Sequence, residues 1–179
     1  NNVSIDNDVA TNVTVKVSSG DVTPAATLGA INLNEGTTIV NDGVISGDNV
    51  ANGLGTVTIR GTGNRILNRG TIQATNAEAI EGNLFGERAT ATVLENFGTI
   101  TVTAENDGAV RLGPSAQVIN SGDILLSGDN NNPALYVGQD SFIQNQASGR
   151  IRAVEVPGAA REVIAVEMFA GSTLINEGT

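Results

Sequence analysis

Apolar and polar residues alternate over many short stretches of this chain, the spacing that sends successive side chains to opposite faces of a β-strand. The alternation is broken by one recurring corner: an aliphatic residue, any residue, Asn, any residue, Gly, any residue, Ile. It runs Ile39-Val-Asn41-Asp-Gly43-Val-Ile45, then Ile66 to Ile72 around Asn68 and Gly70. It returns as Leu94 to Ile100 around Asn96 and Gly98, and as Val118 to Ile124 around Asn120 and Gly122. A looser copy has Ile143, Asn145, Gly149 and Ile151, and a sixth has Leu174, Asn176 and Gly178. Successive corner asparagines are 27, 28, 24, 25 and 31 residues apart. Periods of that size are the mark of a solenoid, in which each turn buries its apolar face only against the next.

Each repeat predicts three strands. The first begins at the Ile after the corner Gly. Gly47, Ala74, Val102, Leu126 and Ala153 face in, whereas Ser46, Gln73, Thr101, Leu125 and Arg152 face out. The second strand is an Ala-aliphatic segment ten residues ahead of the Asn. Ile31/Leu33, Val110/Leu112, Leu135/Val137 and Val166/Met168 face in, and Asn32, Arg111, Tyr136 and Glu167 face out. Val57-Thr-Ile59 is the same feature offset by one residue, and Ala79-Ile80 is its counterpart ahead of a six-residue insertion. The third strand ends at the Asn, which shares parity with the inward aliphatic residue two before it. Stacked coils then place the six asparagines above one another at about 4.8 Å, within hydrogen-bonding reach. The corner Gly is expected to turn with positive φ.

The fold predicted is all-β: a right-handed, single-stranded parallel β-helix with three sides and five to six coils of 24–31 residues. A β-sandwich has no reason to repeat an Asn-x-Gly corner in phase with two other strands. Residues 1–179 read as a single domain, with 1–26 an irregular opening coil or cap and 27–179 regular coils. Val13 to Val17 reads as the first strand of the opening coil. The start at Asn1, with no leader, and the cut-off sixth corner lead us to expect a piece of a longer chain.

Composition sharpens this picture. There are 22 Gly, one Tyr, four Phe and no Trp, so the core must be built from Val, Ile, Leu and Ala. The formal net charge is −10, with Lys16 the only lysine. Such a chain repels phosphate backbones and anionic lipid, so neither nucleic acid nor a membrane surface is an expected partner. No apolar run is long enough to span a bilayer. Without His or Cys, the commonest general base, the thiolate nucleophile and the usual metal ligands are missing.

These Asn-x-Gly-x-Ile corners, preceded by Ala-aliphatic strands, resemble the passenger domains of bacterial autotransporters over about residues 27–179. Related β-helical exoproteins secreted through a partner channel share much of the motif. The resemblance implies export through the outer membrane and display at the bacterial cell surface, with a C-terminal outer-membrane barrel elsewhere in the full-length chain. It implies adhesion, self-association or a stalk role, with partners that are proteins or glycans on a host or neighbouring cell, or further copies. A missing Cys suits that export route.

Chemistry is sparse by comparison. The serine hydrolases carried by some of these families need a His base, which is lacking. Polysaccharide lyases and hydrolases on β-helices need clustered carboxylates, yet Glu81, Glu87, Glu95, Glu105, Asp107 and Asp123 recur at no common coil position. The expectation is therefore no enzyme, no catalytic or metal site and no cofactor, with a β-helical glycan-active enzyme (or its scaffold) and a purely structural spacer as the alternatives. Two loops share Ser-Gly-Asp-Asn. Asp48, Asn49, Asp129, Asn130 and Asn131 offer oxygens of the kind Ca²⁺ takes, though Gly-Asp-Asn is also ordinary turn chemistry. The insertions Ser46 to Gly55, Glu81 to Thr90 and Glu155 to Arg161 are candidate binding loops. Leu84 and Phe85 form either an apolar tip or a cap on the core edge.

Overall fold

Each strand here is too short to stand alone, and each finds its hydrogen-bond partners one coil below and one coil above. The computed structural model describes residues 8–9, 14–18, 22–23, 31–48, 54–84, 87–103, 107–128, 132–155 and 163–179. Over these the chain is a parallel three-sheet solenoid of about five coils, without a helix.

The first sheet stacks Val22–Thr23, Val44–Asp48, Thr71–Thr75, Thr99–Thr103, Asp123–Gly128 and Arg150–Glu155. The second stacks Asp8–Val9, Ile31–Leu33, Val57–Ile59, Ile80–Glu81, Val110–Leu112, Pro133–Val137 and Ile164–Met168. The third stacks Thr14–Val17, Thr38–Asn41, Arg65–Asn68, Val93–Asn96, Gln117–Asn120, Phe142–Asn145 and Thr173–Asn176. Every pairing within these three sheets is parallel, and like sits on like. Ile45, Ile72, Ile100, Ile124 and Ile151 form one inward column. Ile39, Ile66, Leu94, Val118, Ile143 and Leu174 form another. Most of these side chains have no solvent exposure, and each full burial is worth about 1.5–3 kcal/mol. Alternation in Gln117–Asn120 and Asp123–Gly128 is strict, inward positions buried and outward ones partly or fully open.

The corner asparagines form the expected ladder. Asn41 Nδ2 donates to Asn68 Oδ1 at 2.7 Å. The same bond links Asn68 to Asn96, Asn96 to Asn120, Asn120 to Asn145 and Asn145 to Asn176, each at 2.8 Å. Asn41, Asn68 and Asn96 each also donate to a backbone carbonyl just past the corner of the coil above, as Asn96 does to Asp123 O at 3.1 Å. Buried amides would cost about 1–3 kcal/mol apiece unpaired, and the stack removes that penalty. The lower end is closed locally, since Asn41 Oδ1 accepts from the Gly43 N–H at 3.2 Å.

Two expectations need correction. Residues Thr14–Val17 belong to the third sheet, not the first: Val17 lies in register with Asn41 and is fully buried at the ladder position. The parity of that segment is the same in either sheet, so alternation alone could not distinguish them. The corner glycines, secondly, do not take positive φ; Gly36, Gly61, Gly63, Gly128 and Gly171 do. Their need is steric. A Cβ on Gly70, Gly98 or Gly122 would collide with the carbonyl oxygen of the corner glycine one coil below. Close backbone approach between coils, rather than handedness, demands glycine there.

Four residues before each ladder Asn but one lies a second polar column, Thr37, Asn64, Thr92, Ser141 and Ser172, interrupted by Ala116. Thr37 N–H donates to Asn64 Oδ1 at 2.9 Å, Ala116 N–H to Ser141 Oγ at 3.1 Å and Ser141 N–H to Ser172 Oγ at 3.1 Å. Short side-chain oxygens here satisfy backbone donors at the bend between the second and third sheets. The six-residue insertion after Ile80–Glu81 is a small antiparallel hairpin, Asn83–Leu84 against Glu87–Arg88.

Candidate interaction site on the second sheet

Stacking brings together outward side chains that the sequence separates by a full coil. On the second sheet Arg111 is in register with Glu81 below and Tyr136 above, and Tyr136 with Glu167. Arg111 turns back toward the start of the strand beneath, where its Nη1 lies 3.4 Å from Glu78 Oε1. Its guanidinium carbon is 5.5 Å from the centre of the Tyr136 ring, within cation–π range. Tyr136 in turn packs on Phe169, with ring centres 5.2 Å apart and planes tilted by 53°. A row of contacts thus runs from a carboxyl that is 3 % exposed to a phenyl ring that is 43 % exposed.

The electrostatics follow from burial. Desolvation pushes the Glu78 carboxyl above its ordinary range, and the negative charge of Asp107 pushes the same way, against the weaker pull of Arg111. Burial likewise raises Asp107, with Arg111 opposing. Glu78 Oε2 and Arg111 Nε are enclosed and have no hydrogen-bond partner. One guanidinium therefore serves two carboxyls and an aromatic face.

Other carboxylates singled out from the sequence are dispersed. Glu95 pairs with Arg65 on the third sheet, and Asp123 with Arg150 at 2.5 Å on the first. Asp42 pairs with Arg69 at 2.6 Å between two corners, and that guanidinium holds the carboxyl below its usual range. Glu81 is buried, as is Asn32, although both occupy outward positions of their strands. Arg111, Tyr136 and Glu167 are the half-open members of that column. Phe142 also lies on a strand and faces partly outward. Glu78 was missed as well; it precedes its strand, where alternation says nothing about direction.

Asn49, Phe85, Glu105, Asp129, Asn130, Asn131 and 156–162 lie outside the described residues, as do the side chains of Asp48, Leu84 and Glu87. The candidate Ca²⁺ loops and the Leu84/Phe85 tip are among them. Among the described residues, no three or more Asp or Glu side chains converge as a metal site would require. Among the described residues, no helix is long and apolar enough to cross a membrane. A shallow cavity at the last coil, lined in part by Ile151, Val166 and Leu174, is an opening onto core side chains rather than a convergence of polar groups.

No family model matches this chain, and neither does any curated protein or solved structure with which it was compared.

Proposed function

We propose that this chain is a non-catalytic cell-surface module of the autotransporter type, acting in adhesion, in self-association or as a rigid stalk. The observation that supports it most is the unbroken ladder from Asn41 to Asn176 running through three continuous parallel sheets. Such a spine makes neighbouring coils mutually dependent, so the solenoid transmits its shape along its length while its outer faces remain free to vary. A rod of that kind suits a molecule that must hold a binding face away from a cell envelope. On this reading the chain reaches the surface through the outer membrane, helped by a barrel carried elsewhere in the full-length protein. The test is to delete the coding segment from the source cell and measure adhesion and cell–cell aggregation. A drop in either supports the proposal; no change in either counts against it.

A second reading has one observation in its favour. Asp107 lies close enough to Glu78 for its charge to raise the Glu78 proton affinity, beside Arg111 and Tyr136, and paired carboxyls next to an aromatic ring are what a β-helical glycan-active enzyme would use. Incubation with acidic and neutral glycans, followed by a reducing-sugar assay, separates the two. Release that is abolished by Glu78→Gln would favour the enzyme, and no release would remove it.

A further inference from the structure

The three outer faces differ in chemistry. Along the first sheet the outward residues are mainly hydroxyl, amide and charged, with Gln73, Thr101 and Arg152 typical. Around the second sheet stand four carboxyls, Glu78 and Glu81 buried and Asp107 and Glu167 partly exposed, against Arg111. The third sheet is the richest of the three in outward apolar residues. Its outward positions carry Val40, Leu67, Val93, Ile119, Phe142 and Ile175, all partly or well exposed, interspersed with neutral Thr14, Thr38, Gln117, Gln144 and Thr173. The only charges at outward positions on its strands are Lys16, Arg65 and Glu95, and the last two pair with each other. A chain with net charge −10 thus keeps one face almost free of acid.

We propose that the outer face of the third sheet is a self-association surface whose partner is the same face of a second copy of this chain. The inference deepens the self-association arm of the proposed function and rests on it. Two acidic rods repel wherever their carboxylates meet, and on this face the one strand carboxylate, Glu95, is already paired with Arg65. A surface that is self-complementary pairs about a two-fold axis, which closes the assembly at a dimer. Seven strands at their usual spacing, together with the flanking turns, give on the order of 600 Å² per partner, at the lower end of specific interfaces. The association is accordingly weak, with a dissociation constant on the order of tens of micromolar. It strengthens with added salt, because screening removes the residual repulsion while apolar burial is retained.

Sedimentation velocity of the purified chain, from micromolar to millimolar and at low and high salt, tests this. The expected result is a monomer–dimer equilibrium that salt favours. Ile119→Lys, flanked by Glu95 in the neighbouring strand, should weaken it by about tenfold or more. Thr101→Lys makes the same charge change on the first sheet and should leave it unaltered. Ile119→Gln, a residue already present at Gln144 one coil above, should weaken association without altering the circular dichroism spectrum. Association that persists unchanged in both Ile119 variants overturns the assignment to this face but leaves self-association standing. A chain that stays monomeric throughout overturns both, leaving adhesion or a stalk role to the cell-based test.

Discussion

Asn68 and Asn96 are 28 residues apart in sequence, and the side-chain nitrogen of the first lies 2.8 Å from the side-chain oxygen of the second. Replacing Asn96 with Ala removes that bond and the next, leaving an acceptor on Asn120 and weakening the satisfaction of Asn68. The expected loss of stability is about 2–4 kcal/mol, read from the shift in a urea unfolding curve. Asn41→Ala, which breaks one ladder bond, should cost less.

Gly98→Ala should be at least as damaging. The added methyl would meet the Gly70 carbonyl oxygen, and a backbone-to-backbone contact in a stacked sheet has no side chain to move aside. We expect a loss of about 3 kcal/mol or more. Gly63 makes the useful contrast: its φ is +74° but its Cβ position is open, so Gly63→Ala should cost only about 1 kcal/mol, through backbone strain. Thermal unfolding of the two variants, side by side, distinguishes crowding from conformation.

Glu78 predicts a pH dependence. Its folded-state proton affinity is raised, so the folded protein holds the proton over a range where the unfolded chain has released it. Stability should therefore fall as pH rises from the ordinary carboxylate value, 4.5, through the raised value in the fold. Asp107 adds to the trend in the same direction. Glu78→Gln should flatten that part of the profile and raise stability at neutral pH relative to wild type, by about 1 kcal/mol. A variant with an unchanged slope would show that the Glu78 carboxyl does not carry the effect.

Much of the solenoid was legible because three independent periodicities agreed. The corner Asn, the Ile after the corner Gly and the Ala-aliphatic strand each recur in phase, and together they fix which residues stack: Asn96 on Asn68, Ile100 on Ile72, Val110 on Ile80. The polar column of Asn64, Ser141 and Ser172 was equally available, since Thr, Ser or Asn stands four positions before every ladder Asn except Asn120, where the residue is Ala116. Thr14–Val17 was not, because a coil that puts Val17 where the others put Asn carries no corner signal.

The candidate site was legible only in part. Parity placed Arg111 and Tyr136 outward, but nothing in a one-dimensional pattern says that Arg111 bends toward Glu78, 33 residues earlier, or that Phe169 meets Tyr136. Those contacts depend on coil-to-coil stacking combined with side-chain rotamers. The outward apolar residues of the third sheet were written in the sequence too: the position before the ladder Asn is Val40, Leu67, Ile119 and Ile175, interrupted by Glu95 and Gln144.

The central claim is that six asparagines form one continuous ladder, buried from Asn41 to Asn145 and open only at Asn176. Its most direct test is the nuclear magnetic resonance spectrum of the asparagine side-chain amides, with nuclear Overhauser contacts and solvent exchange measured at each. The account predicts contacts linking Asn41, Asn68, Asn96, Asn120, Asn145 and Asn176 in that order, with the inner four protected from exchange. Side-chain amides that exchange at the rate of free asparagine, without contacts between coils, would contradict it.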